Sequence, residues 1–390
     1  MTESLETICS YRNEKASAAS ITAEDLYVST ESMGPNRGGV SKTASVPSEG
    51  KVSCFRKGDT LVSNIRPYFK KIWKADIDGY CSNDVLVFQP SQRCSADYLY
   101  WLLCDDAFFD YVMATSKGTK MPRGDKSAIM SYAIPSNSEM AQRNIASILA
   151  PIQAKIEMNA KLNGYLEELA RAMYVNAMQE HADSAALRDL AEFNPETYSP
   201  KENWSAVSYI DTSALMLNDL AGLQHFNLAE EKLPARARRK VSDGDILYST
   251  VRPNQNHYGL LYGPVPHMLA STAFAVIRPN DTIMSPLVYL ALTDARITKT
   301  LQQLAETSTS TIPSIRPVDL EQIAVLVPSD ECGNEIAAQI GTAFKQIDCN
   351  KRENRKLAAL RDALLPKLMS GEIDVSKVDL TQLNSHLSDC

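Results

Sequence analysis

Residues 145–173, IASILAPIQAKIEMNAKLNGYLEELARAM, recur as residues 336–364, IAAQIGTAFKQIDCNKRENRKLAALRDAL, without a gap. Ile145 matches Ile336, Ile156 matches Ile347, Asn159 matches Asn350, Asn163 matches Asn354 and Leu166 matches Leu357. The displacement, 336 minus 145, is 191 in a chain of 390 residues, so the protein is built twice. Two similar halves suit a long, quasi-symmetric partner better than a small substrate.

Each copy alternates by four and three. Ile145, Leu149, Ile152, Ile156, Asn159, Asn163, Leu166, Ala170 and Met173 form one seam. Ile336, Ile340, Ala343, Ile347, Asn350, Asn354, Leu357, Arg361 and Leu364 form the other. This is the a/d pattern of a coiled coil. Helices of roughly 35–40 residues, about 55–60 Å long, are expected. Pro151 predicts a kink or a late start in the first. Pro366 and Gly371 are stop signals for the second. A rod with one apolar stripe must bury it. With a whole domain between the copies, antiparallel pairing with a pseudo-two-fold axis is the easier geometry. Asn159, Asn163, Asn350 and Asn354 would then meet at mid-rod and fix the register, or else lie on the seam's rim in water.

The repeat continues outward. Gly58 to Pro67 matches Gly244 to Pro253, and Cys81 to Pro90 matches Ala270 to Pro279. Both stretches hold short apolar runs bounded by Gly, Asp or Pro, as strands do. Helical patterns follow at 96–113 and 286–304. The expected fold is α+β. Two similar mixed α/β domains are each followed by a long helix, and the two helices form an antiparallel coiled coil. The boundaries are 1–137 for the first domain, 138–180 for the central helix, 181–332 for the second domain, 333–371 for the second helix and 372–390 for a tail.

The net charge of −7 argues against a protein coated in basic surface, though not against local patches. No run approaches 18 apolar residues, and the N-terminus lacks a secretory pattern. A cytoplasmic protein without membrane contact is expected. The eight cysteines show no CxxC spacing and the five histidines do not cluster with them, so reduced thiols and no metal site are expected.

Residues 51–74 hold Lys51, Arg56, Lys57, Arg66, Lys70, Lys71 and Lys74 against Asp59 alone, with Tyr68, Phe69 and Trp73 interleaved. Residues 117–126 add Lys117, Lys120, Arg123 and Lys126, and residues 232–240 add Lys232, Arg236, Arg238, Arg239 and Lys240. A single cluster would read as a solvated face. Basic clusters in equivalent regions of both halves point to phosphate contacts. After Arg66-Pro67 comes Tyr68-Phe69-Lys70-Lys71, and after Arg252-Pro253 comes Asn254-Gln255-Asn256-His257. Asn and Gln suit adenine edges, and Arg and Lys suit guanine. Equivalent loops with different chemistry fit two different half-sites, or are ordinary turns.

Catalytic motifs are not visible. Gly34 and Gly39 have Walker spacing, but Val40 stands where Lys is needed. No GxSxG, HExxH or dinucleotide fingerprint occurs. Asn194-Pro195-Glu196-Thr197 is not an amino-methyltransferase motif.

The run Leu364 to Ile373 (LLPKLMSGEI) resembles the specificity subunits of type I restriction-modification systems. So do Lys155 to Asn163 with Leu166 to Ala170, Ile134-Pro135 and Val327-Pro328 before the rods, and Tyr27 to Glu31 with Pro35-Asn36-Arg37-Gly38-Gly39. The resemblance spans the chain, strong in the rods and loose in the globular parts. It implies a non-catalytic subunit. Its two target-recognition domains would read the halves of a bipartite, asymmetric site on double-stranded DNA. Its paired helices would set the spacer and dock two methyltransferase subunits. Two motor-nuclease subunits would join for restriction. S-adenosylmethionine, ATP and magnesium would sit on those partners and none on this chain. With it, the DNA-contacting set becomes Arg37, Lys57, Arg66, Tyr68, Lys70, Lys71, Lys120, Arg123, Arg238, Arg239, Lys240, Arg252, Asn254, Gln255, Asn256 and His257. The rival readings are an interaction scaffold or decoy subunit that no longer reads DNA, and a self-contained enzyme with an unrecognised centre.

Overall fold

The computed structural model describes residues 2–41, 45–180, 182–308, 312–328 and 331–377. The expected tail is thus described only to residue 377, and His181, His386 and Cys390 lie outside the described residues. The chain divides into two compact units, Met1–Glu157 with Asn354–Cys390, and Met158–Glu353. Each unit joins one globular half to one end of each long helix.

In the first unit, one four-stranded antiparallel sheet has the order Cys9–Tyr11, Val85–Pro90, Thr60–Ser63, Ile72–Lys74. In the second unit the order is Ala191–Phe193, Phe274–Pro279, Ile246–Ser249, Tyr258–Leu260. The registers correspond. Thr60 faces Phe88 and Ser63 faces Val85, while Ile246 faces Ile277 and Ser249 faces Phe274. The central strands Thr60–Ser63 and Ile246–Ser249 are buried at every residue, because a second sheet covers one face and helices the other.

The second sheets share three strands and differ in the fourth. Lys51–Phe55, Gly79–Cys81 and Tyr27–Val28 match Ala237–Lys240, Met268–Ser271 and Ala206–Ile210, with the last pair of each trio parallel. The first unit adds Lys15–Ser17 beside Lys51–Phe55. The second adds Gln224–Asn227 at the opposite edge, beside Ala206–Ile210.

The helical patterns at 96–113 and 286–304 each break once. Ala96–Cys104 is followed by Asp106–Ala114, and Ser285–Leu292 by Ala295–Glu306. Asp105 (φ −60°, ψ 138°) and Asp294 (φ −59°, ψ 137°) sit at the breaks. Their carboxylates accept N–H bonds from Ala107 and Arg296 and cap the second helix of each pair.

One buried ion pair is also repeated. Asp59 accepts a two-pronged bond from Arg12 (2.5 and 3.0 Å), and Asp245 accepts one from Arg278 (2.8 and 2.9 Å). The carboxylates are equivalent in the repeat, but Arg12 directly follows the strand Cys9–Tyr11, whereas Arg278 lies within Phe274–Pro279. The buried charge sets the need, and either neighbour can meet it.

The long helices are Glu139–Glu180 and Glu331–Ser370, about 63 and 60 Å at 1.5 Å per residue. No late start occurs at Pro151. Helix runs through it from Glu139, because Ile148, Leu149 and Ile152 are buried around the missing bond. Helix also runs through Pro366 and stops at Gly371, whose φ of +80° suits glycine. All eighteen seam positions are buried or half-buried. In the first unit the partners run antiparallel: Asn354 Nδ2 donates to the Ile156 carbonyl (3.1 Å) and Arg361 Nη1 to Gln153 Oε1 (2.8 Å). In the second unit Asn350 pairs with Asn163 and Glu353 with Asn159, again antiparallel. Among the described residues, no helix is long and apolar enough to cross a membrane and no His, Cys, Asp and Glu cluster could hold a metal.

Candidate nucleic-acid interface

Each half carries the same turn. Arg66 and Arg252 have left-handed backbones (φ +50° and +48°). Short 3-10 turns, Pro67–Phe69 and Pro253–Gln255, follow, and each ends at a second left-handed residue, Lys70 or Asn256. Proline supplies the fixed φ that starts each turn. A neighbouring segment clamps the arginine backbone: Arg66 N–H donates to the Pro122 carbonyl (2.9 Å) and Arg252 N–H to that of Pro313 (3.0 Å). Pro122 and Pro313 are themselves 191 apart, the helix spacing, and that pairing was readable in the sequence.

The identical frames display different groups. In the first unit Tyr68 is 47% exposed and Phe69 38%, and their rings stand 4.6 Å apart. In the second unit Asn254 and Gln255 are exposed. Gln302 from Ala295–Glu306 holds that turn by accepting the Asn254 N–H (3.2 Å), a contact that no local pattern announces.

A second turn leans on the first in both halves. Asn36 (φ +50°) and Arg37 (φ +63°) donate their N–H groups to the carbonyls of Phe69 (2.8 Å) and Lys70 (3.0 Å). Leu217 (φ +47°) and Asn218 (φ +61°) donate to Asn256 (3.0 Å) and Tyr258 (2.9 Å). A Cβ on Gly34 would lie 2.8 Å from the Gly38 oxygen, so the glycines that mimic a Walker spacing serve this close turn.

Several expected DNA contacts are occupied within the protein. Arg37 is buried: its Nε donates to the Cys104 carbonyl (2.9 Å) and its Nη2 meets Asp106. It braces the turn and does not face outward. His257 Nδ1 donates to the Leu215 carbonyl (2.7 Å) and likewise braces the neighbouring turn. Lys70 pairs with Asp106 (2.8 Å) and Arg123 with Asp84 (3.2 Å). Lys71 donates to the Thr30 carbonyl (2.6 Å) and lies over the Phe69 ring. Arg66 is half-buried, whereas Lys120, beside the Pro122 clamp, is exposed. Lys57 is exposed but sits at the far end of the Thr60–Ser63 strand from the turn.

In the second half Arg252 is exposed at its turn. Lys240 pairs with Glu202 (2.6 Å) and covers Trp204. That ammonium, with the Ser199 N–H, holds the Glu202 carboxyl below its ordinary value. Arg238 donates to the Ala235 carbonyl (3.3 Å), and burial pulls the Arg239 guanidinium down. Arg236 lies at the turn end of the same strand: its carbonyl accepts Thr272 N–H, next to the Ala273 carbonyl that accepts Thr250 N–H. It is exposed and belongs with the turn better than Lys240 does.

The local excess of base around 51–74 is partly neutralised. Glu14 and Asp78 reach Arg56, Asp97 reaches Lys74, and Asp106 reaches Lys70. All four acids lie outside that stretch in sequence.

No protein-family model matches the chain. It is 21% identical to the type I restriction enzyme HindI specificity subunit of Haemophilus influenzae, covering 86% of this chain and 90% of that protein. It is 20% identical to the MjaIX specificity subunit of Methanocaldococcus jannaschii, over 74% of this chain and 72% of that protein. A crystal structure of a type I restriction-modification S subunit from M. genitalium shares the fold, with a TM-score of 0.57, 15% identity, and coverage of 95% of this chain and 96% of that one.

Proposed function

We propose, from its likeness to two type I restriction specificity subunits over most of its length, that this chain is the non-catalytic, DNA-reading subunit of a type I restriction-modification complex. The observation that carries the proposal is the repeated Arg-Pro turn, one backbone displaying Tyr68 and Phe69 in one half and Asn254 and Gln255 in the other. A shared frame with exchanged side chains is what two dissimilar half-sites of one duplex require. Lys120, Arg236 and Arg252 supply phosphate contacts that position each half, and the turn residues contact base edges. The amides of Asn254 and Gln255 fit adenine. The long helices set the spacing of the half-sites and dock two methyltransferase subunits, with two motor-nuclease subunits added for restriction. S-adenosylmethionine, ATP and magnesium belong to those partners, and the whole acts on chromosomal DNA in the cytoplasm.

The test is methylation of duplex DNA by the chain assembled with its methyltransferase subunits, beside the chain alone. The assembly is expected to methylate adenine at a bipartite site and the lone chain to transfer no methyl group. Exchange of 253–256 for another turn should rewrite one half-site only. Methyl transfer by the lone chain would make it an enzyme, and sequence-indifferent binding by the assembly would make it a scaffold. Binding should also weaken steeply with salt, with a log–log slope near −0.9 per phosphate contact.

A further inference from the structure

Leu217 is a large apolar residue held at φ +47°, where such side chains are strained. It is also 55% exposed, beside Met216 at 50%. Neither burial nor backbone preference explains it. The surroundings nonetheless fix it firmly. Its own N–H is spent on Asn256, and Asn218 Oδ1 accepts the Leu260 N–H (2.8 Å). Lys351 Nζ donates to the Asn218 carbonyl (2.7 Å). A Cβ on Gly259 would lie 2.8 Å from Leu215 Cδ1, so glycine there lets the turn sit close.

The first half has the reverse arrangement. There the second turn presents exposed, polar Asn36, and the Arg-Pro turn presents Tyr68 and Phe69. In the second half the Arg-Pro turn is polar and the second turn is apolar. Each half thus pairs one polar and one apolar tip, with the positions exchanged.

We infer that Leu217, backed by Met216, is a specificity-determining contact that packs on a thymine methyl group beside the bases facing Asn254 and Gln255. The thymine methyl is the apolar feature of the major groove, and an exposed apolar tip next to amide readers is placed to use it. The inference rests on the DNA-reading function proposed above, and its test separates the two. The assembled complex with its methyltransferase subunits is used to map methylated adenines, first with the native chain. A native chain that directs no bipartite motif overturns both readings. With a motif in hand, Leu217→Gly and Leu217→Asn are mapped. Both residues accept positive φ, so folding is retained or improved. Relaxed preference at one or two adjacent positions of a single half-site is expected. On a duplex with uracil replacing thymine there, the native complex should bind about fourfold more weakly, the worth of one buried methyl, and the Leu217→Gly complex should bind both duplexes alike. An unchanged motif in both variants, or a native complex indifferent to uracil, overturns the inference and leaves the function proposed above standing.

Discussion

Asn350 donates through Nδ2 to Asn163 Oδ1 at 2.7 Å, and its own Oδ1 accepts from Gln346 Nε2 at 2.8 Å. Asn350 is buried in a seam otherwise lined by residues such as Ile347 and Ala343. Nearby, Asn159 donates to Glu353 Oε2 at 2.5 Å. Amides in such a seam cost stability relative to leucine but penalise every other register, because a slip leaves them unbonded. The asparagines therefore bond across the helix pair, with Asn159 and Asn350 buried and Asn163 and Asn354 half-buried.

Asn350→Leu alone should destabilise the protein by about 1–3 kcal/mol, since Asn163 loses its donor. Adding Asn163→Leu should recover that loss or exceed it. Urea unfolding of the two single variants and the double variant checks this. Additive losses would mean that the amides do not act as a pair.

Arg278→Met should cost about 3–5 kcal/mol, because Asp245 is fully buried and would keep an unpaired charge. Arg12→Met should do the same to Asp59 in the other half. Hydrogen exchange should show each loss confined to its own unit. Equal loosening of both units by either variant would contradict the described pairing.

Burial pushes the thiols of Cys9, Cys81 and Cys94 up to about 12. Only the thiolate reacts, so at pH 8 these groups should alkylate roughly a thousandfold more slowly than an ordinary cysteine. The sign is fixed: a raised value keeps the thiol protonated, and reactivity returns only near pH 12 or on unfolding. Cys349 is the one exposed cysteine among the described side chains. Mass mapping after brief iodoacetamide treatment should find Cys349 labelled well before those three.

The helices and their seam were legible because heptad spacing is a local signal, and the buried and half-buried positions follow it even where the seam residue is Arg361. The paired strands were legible because Gly58-Asp59 and Gly244-Asp245 mark equivalent starts. The fate of Arg37 was not, since its partners Cys104 and Asp106 are 67 and 69 positions away. The same holds for the acids that reach Arg56, Lys70 and Lys74: charge counted along the chain misses charge brought in by folding. The opposite placement of Lys15–Ser17 and Gln224–Asn227 depends on edge pairing, which short strands specify weakly in sequence. Leu217 gave no signal at all, because nothing in a leucine announces a left-handed backbone.

Spacing between half-sites offers the most direct test of the proposed function, in which the helices act as the spacer. One heptad is removed from each helix, 152–158 and 343–349, and methylated adenines are mapped with the assembled complex. The expected result is the same two half-sites with an altered number of base pairs between them. Retention of the native spacer by a folded, active variant would contradict it.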